Sequence, residues 1–168
     1  MKVLSIDPGI GITGFSIIES NRALITLKAY GTIRPKSKDS LPIRLNYLYK
    51  EVNKLLDQFS PQVLAIEDTF YSNNAKSAMV LGQARGSILI AAAQASITVH
   101  EFAPRKVKMS VCGNGAASKE QVSYMVTKIL KLKEPPRPLD VSDAMAVGLC
   151  YINQNRYHDW SNKRINNT

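Results

Sequence analysis

Val3-Leu4-Ser5-Ile6-Asp7-Pro8-Gly9-Ile10-Gly11 decides how the rest of the chain is read. A short apolar run with β-branched residues ends in a carboxylate, and a proline and glycines then turn the chain. Pro8 disfavours helical backbone at Asp7, so Asp7 is expected at the end of a strand with its side chain at the sheet edge. Gly9-x-Gly11-x-x-Gly14 has the spacing of the dinucleotide fingerprint, but that fingerprint needs a helix opening at the glycines. Gly11-Ile12-Thr13-Gly14-Phe15-Ser16-Ile17-Ile18 reads instead as a second strand. An Asp-x-Gly hairpin also occurs in actin-like and sugar-kinase ATPases, which need two such domains, and 168 residues do not hold both. Taken alone, Asp7 fits a plain exposed turn as well as it fits the first member of an acidic cluster.

The length suits one domain with a real core. That domain is expected over 1–153, with a polar, flexible tail at 154–168 in which Tyr157 and Trp160 are candidates for docking. Lys and Arg number 22 against 13 Asp and Glu, a formal net charge of +9. Such a balance favours a polyanionic partner, nucleic acid above all, over an acidic small molecule; mere solubility is the blander reading. Cys112 and Cys150 form no CxxC pair and read as two reduced thiols. No apolar run approaches the ~20 residues of a membrane span, and Met1-Lys2-Val3 leads straight into a strand. The expectation is a cytoplasmic protein without membrane contact.

In chain order, residues 2–7, about 12–20 and about 23–34 predict an antiparallel three-strand meander. Ser40 is a candidate N-cap for a helix whose apolar face is Leu41, Leu45, Leu48, Val52, Leu55, Leu56 and Phe59, with Arg44 on a wetter side. Val63-Leu64-Ala65-Ile66 is a continuous apolar run, fit for a buried parallel strand, and it ends in Glu67-Asp68. This repeats the first motif, a carboxylate at a strand's carboxyl end, where open α/β sheets place their ligand sites. A long helix is expected from about 74 to 94. Its stripe of Ala75, Ala78, Gly82, Gly86, Leu89 and Ala93 suits close packing, either on the chain's own sheet or across a dimer. Residues 97–102 predict a last strand holding a structural His100. Ala103-Pro104 is read as a chain break, and Ser118 to Gln121 as a capping box opening a helix to about Leu132. The last helix is expected from Leu139 to about Asn153.

Asp140 and Asp143, at i and i+3 in the first turn of that helix, share a face. Acids are favoured at a helix N-terminus anyway. That does not account for the two strand-end carboxylates elsewhere. If Asp7, Glu67, Asp140 and Asp143 converge, four carboxylates repel and need cations. Oxygen-only donors without a His/Cys set suit Mg²⁺ or Mn²⁺, and two divalent ions would balance four acids. Such a pair serves phosphodiester hydrolysis. On so basic a chain, the combination points to a nuclease.

Several separated stretches carry a family resemblance. They are Asp7-Pro8-Gly9 with Thr13-Gly14, Leu64-Ala65-Ile66-Glu67 with Phe70, and Leu81-Gly82-Gln83-Ala84-Arg85-Gly86. Gly113-x-Gly115 with Lys119 and Gln121-Val122 follows, then Asp140-x-x-Asp143-Ala144. Over about residues 2–153 the chain resembles the RuvC Holliday-junction resolvases. The resemblance implies an α/β, ribonuclease-H-like mixed sheet, the meander plus parallel strands, flanked by helices. It implies a metal-dependent, structure-selective endonuclease working as a homodimer on four-way junction DNA, with a branch-migration complex of the RuvA and RuvB type as partner. Asp7, Glu67, Asp140 and Asp143 match the family's catalytic acids and metal ligands. Asp68 is an extra acid beside them.

Lys108 and Lys119 match basic positions of the family's DNA surface, and Arg105 belongs to the same cluster. Gly113 and Gly115 precede a helix N-terminus, where backbone N–H groups suit a phosphate; a solvated basic loop is the alternative. Phe70, on a loop past Glu67, suits stacking on an unpaired base, or else faces the core. The expected function is paired, Mg²⁺-dependent cleavage of four-way junctions in recombination and repair. A general ribonuclease-H-like nuclease is the rival enzyme. A non-catalytic junction-binding module is the rival binder, disfavoured because a pure binder gains nothing from acids that repel phosphate.

Overall fold

The computed structural model describes residues 1–21, 24–68 and 74–165, and of 157–165 the backbone alone. Tyr157, Trp160 and Phe70 as side chains therefore lie outside the described residues. Three strands come first: β1 (Lys2–Asp7), β2 (Thr13–Asn21) and β3 (Leu24–Ile33). Then follow α1 (Leu41–Phe59), β4 (Val63–Glu67), α2 (Ala75–Gln94) and β5 (Thr98–Phe102). Three helices end the chain: α3 (Pro104–Cys112), α4 (Lys119–Ile129) and α5 (Leu139–Ile165). The sheet order is β3-β2-β1-β4-β5. The meander β1-β2-β3 is antiparallel, whereas β4 runs parallel to β1 and β5 parallel to β4. The mixed sheet expected from the sequence is thus present, and strand order reverses between β1 and β4.

Successive strand residues face opposite sides, and this parity sorts the core into two layers. Leu4, Ile6, Leu64 and Ile66 pack with Leu48, Val52, Ala84 and Ile88 beneath α1 and α2. Val3, Val63 and Ala65 pack with Met145, Leu149 and Ile152 beneath α5. Asp7 and Glu67 share the parity of Val3, Val63 and Ala65, so they face α5. Parallel pairing of Ile6 with Ile66 sets the two carboxylates side by side at one edge.

From Val141 to Ile152 helix α5 is buried almost all round, with Met145, Val147, Leu149 and Ile152 fully so. Its seat on the sheet requires two residues without a Cβ. A Cβ on Gly14 would overlap the carbonyl oxygen of Asp140, and one on Gly148 would lie 2.6 Å from Ser5 Oγ. Gly14 pairs with Asp7, so the start of α5 crosses the sheet beside that acid.

Three expectations need correction, and one open reading is narrowed. Pro104 opens α3 at its first turn, where the missing N–H costs nothing, and does not break the chain. Helix α5 runs to Ile165 instead of ending near Asn153, for no Pro or Gly follows Gly148 to stop it. Helix α4 stops at Ile129, before Lys131 turns left-handed at φ 53°. The α2 stripe is divided: Leu89 packs with Ala84, Ile88, Ala91 and Ala92 on the chain's own core, while Ala75, Gly82 and Ala93 are exposed. Nothing approaches within 4 Å of a Cβ built on Gly82 or Gly86.

These environments separate the glycines by experiment. Gly14→Ala is expected to lose about 1–3 kcal/mol, because a methyl meets backbone that cannot move aside. Gly82→Ala is expected to gain up to about 1 kcal/mol for a helix interior in the isolated chain. Thermal unfolding of both variants checks the contrast.

Candidate active site

The turn after β1 is braced from inside. Thr13 Oγ1 donates to the Gly9 carbonyl at 2.6 Å and accepts from the Gly9 N–H at 3.2 Å. Arg44 of α1 donates from Nη2 to the Ile10 carbonyl at 2.9 Å. Arg44 was expected on a wetter face; its stem is half-buried because the turn folds back over α1. Together these contacts fix the direction in which the chain leaves Asp7.

Asp7 and Glu67 are joined side chain to side chain by a hydrogen bond. Burial, then the negative charges of Glu67 and Asp143, push the Asp7 carboxyl up to about 8. Glu67 is also raised, by burial and by Asp143, against the opposing pull of the Asp7 bond. The pair therefore holds a proton more tightly than an ordinary carboxyl does. Asp143 is raised by burial, although Lys119 draws it back through a 2.7 Å ion pair. Burial pulls the Lys119 ammonium down, but the bond and charge of Asp143 prevail and hold it above its usual value. Asp140 acts on Asp143 and Lys119 through its charge. Among the described residues, no three carboxylates, histidines or cysteines stand close enough to enclose an ion. The acids meet as one proton-sharing pair and one ion pair.

The basic residues divide. Lys108 lies near enough for its charge to act on Glu67 and Asp143. Lys119, expected on phosphate, is bonded to Asp143, and the sequence held no signal for that pair except the capping box that orients α4. Both bonds of the box form: Gln121 N–H to Ser118 Oγ at 3.2 Å, and Ser118 N–H to Gln121 Oε1 at 2.8 Å. Gly113 ends α3 in the left-handed region at φ 69°, and its N–H is spent on the Met109 carbonyl at 2.9 Å. The Ala116 N–H goes to Asn114 Oδ1 at 3.0 Å, so this loop spends part of its donor capacity on itself. Arg105 lies exposed on α3 with its stem against Gly115; a Cβ there would come within 2.6 Å of Arg105 Cγ.

The family model for crossover junction endodeoxyribonuclease RuvC matches residues 3–151. The chain belongs to the RuvC family. The RuvC crossover junction endodeoxyribonuclease of Syntrophomonas wolfei is 44% identical over 156 residues, spanning 93% of this chain and 91% of the relative. That of Finegoldia magna is 42% identical over 152 residues, 90% and 93% of the two chains. Thermus thermophilus RuvC, solved in complex with Holliday junction substrate, superposes with a TM-score of 0.89 at 32% identity, over 94% of this chain and 96% of that one. The yeast mitochondrial Holliday junction resolvase, at 13% identity and a TM-score of 0.67, shares the fold. The sheet and helices of this chain are thus the ribonuclease-H-like fold of RuvC. Among its described residues no helix is long and apolar enough to cross a membrane.

Protonation sets the stability of this RuvC edge. Asp7 rises from an ordinary 3.8 to about 8, so the folded state holds a proton that the unfolded chain gives up. The stability tied to that proton is complete below about pH 4 and is lost as pH rises through about 8. Asp7→Asn removes the penalty. The variant is expected to melt above the wild type at pH 9 without metal and to lose most of that advantage by pH 5. Each kcal/mol relieved is worth about 2–4 °C in a chain of this size. Melting curves at the two pH values check it.

Proposed function

We propose that this chain resolves four-way DNA junctions by hydrolysing phosphodiester bonds at the edge formed by Asp7, Glu67, Asp140 and Asp143. The function rests on its membership of the RuvC family, and the location on one observation. The fold brings strand-end acids from β1 and β4 against the acid-bearing first turn of α5, with Lys119 and Lys108 beside them.

The chemistry of the donor set fits divalent cations, although the acids would have to draw closer than they stand to enclose one. The set is all oxygen, and burial together with the negative charges of Glu67 and Asp143 keeps a proton on Asp7 to about 8. Asp7, Glu67, Asp140 and Asp143 would hold the ions, two Mg²⁺ by charge balance with Mn²⁺ as a substitute. When bound, they supply the acidity that turns water into a nucleophile and the charge that stabilises the leaving oxygen. The chain's own part is positional. Asp7 would have to give up its proton to serve as a ligand, and Lys119 is placed to exchange Asp143 for a phosphate oxygen. Lys108 adds charge to the same phosphate path, and Arg105 buttresses the Gly115 loop beside it. Phe70, outside the described residues, is carried forward as a base-stacking contact.

A four-way junction needs two cuts related by its own two-fold, which one acidic edge per chain does not supply. A C₂ dimer does. The outward face of α2 supports that assembly: Gly82 is exposed there beside Met79 and Ile90, which are 67% and 56% exposed.

Asp7→Asn, Glu67→Gln, Asp140→Asn and Asp143→Asn are each expected to lower cleavage at least 100-fold while junction binding persists in a gel-shift assay. A variant that cuts like wild type removes its residue from the site. Lys108→Gln is expected to weaken junction binding and to flatten its dependence on salt, since one phosphate contact fewer releases fewer counterions. A plasmid extruding a cruciform tests the pairing of cuts. Linear product in one encounter is expected, and nicked circles as the main product would contradict the dimer.

A further inference from the structure

Parity puts Asp68 on the face of the sheet away from the catalytic edge. Glu67 points toward α5, and the next residue points toward α2. Asp68 therefore is no fifth member of the acid cluster: its partner is Arg85 of α2, whose Nη2 lies 4.0 Å from Asp68 Oδ1. The same Arg85 nitrogen bonds Glu101 of β5. Glu101 has this orientation because its neighbour His100 faces the other way, its ring 4.7 Å from that of Tyr151 on α5. The backbone joins in, as the Asp68 N–H donates to the Phe102 carbonyl at 2.9 Å. Asp68 Oδ1 is buried and accepts no hydrogen bond among the described residues. The positive charge beside it is that of Arg85.

We propose that Arg85 is a positioning residue: by bridging Asp68 and Glu101 under the catalytic edge, it fixes the direction in which β4 presents Glu67. Glu67 is the last residue of its strand, and just past it the backbone is tied to β5 by the single bond from the Asp68 N–H to the Phe102 carbonyl. One guanidinium nitrogen, Nη2, held between carboxylates from two adjacent strand ends adds a second constraint to that bond. Removing it leaves two acids without that charge, one of them with a buried oxygen, and frees the strand end to swing. The inference rests on Glu67 serving as a metal ligand, as proposed above.

The test uses the full-length protein with Mg²⁺ and a synthetic four-way junction. Four variants are compared: Arg85→Gln, Asp68→Asn, Arg85→Lys and Glu67→Gln. Supports of a metal ligand typically alter affinity or activity about 10–100-fold. Arg85→Gln is therefore expected to raise the Mg²⁺ concentration for half-maximal thermal stabilisation about tenfold. It is also expected to lower the rate at saturating junction about 10–100-fold, with junction affinity within about twofold of wild type. Asp68→Asn shifts both in the same direction. Arg85→Lys recovers part of the loss, since it keeps the charge but not the planar, rigid guanidinium that holds the nitrogen in place. If Arg85→Gln does not fold, Asp68→Asn carries the test. Glu67→Gln that binds Mg²⁺ and cuts like wild type overturns the role of Glu67, and the inference with it. Glu67→Gln inactive, with Asp68→Asn and any folded Arg85→Gln titrating Mg²⁺ like wild type, overturns the inference alone.

Discussion

The close crossing of α5 over the sheet at Gly14 is the constraint on which the rest depends. It lets the carbonyl of Asp140 come where a side chain would otherwise stand, one strand away from Asp7. The apolar length of α5 drives the approach. Met145, Val147, Leu149 and Ile152, fully buried, contribute on the order of 1.5–3 kcal/mol each. Against this stand the burial of these carboxylates and their mutual repulsion, visible in an Asp7 carboxyl held near 8. A few units of such displacement correspond to several kcal/mol, each unit being about 1.4 kcal/mol. Packing of this size outweighs it, so the acids stay together although they oppose one another.

The repulsion is moderated by two local devices, a proton shared between Asp7 and Glu67 and the ammonium of Lys119 on Asp143. Both are replaceable. A divalent cation can displace the proton, and a phosphate can attract the lysine. In the proposed reading the resting edge is held by groups that catalysis would then use, with Arg85 bracing the sheet's other face.

Much of this was legible in the sequence because strand-end acids carry a strong local signal. Pro8 after Asp7 and the apolar run before Glu67 fixed both strand ends, and the i, i+3 spacing of Asp140 and Asp143 fixed their common face. The meander and the capping box were read from turn chemistry and hydroxyl–amide spacing. What escaped depended on tertiary packing. Arg44 looks like a solvated helix residue until the Ile10 carbonyl reaches it. Lys119 looks like a phosphate ligand until α4 lies against α5. Asp68 gave no hint of its partner, since Arg85 is distant in sequence and meets it only through sheet parity. The α2 stripe was visible as a pattern, but which way it faced depended on how Ala84 and Ile88 docked.

The protonation of Asp7 is where fold and chemistry meet, and it can be observed directly. A carbon-detected NMR titration of the labelled Asp7 carboxyl, without metal and then with saturating Mg²⁺, follows that one group. A midpoint near 8 without metal, falling by several units once Mg²⁺ is present, is the expected result. A midpoint near 4 in the metal-free protein, unmoved by Mg²⁺, would contradict an acid cluster assembled under strain for cations.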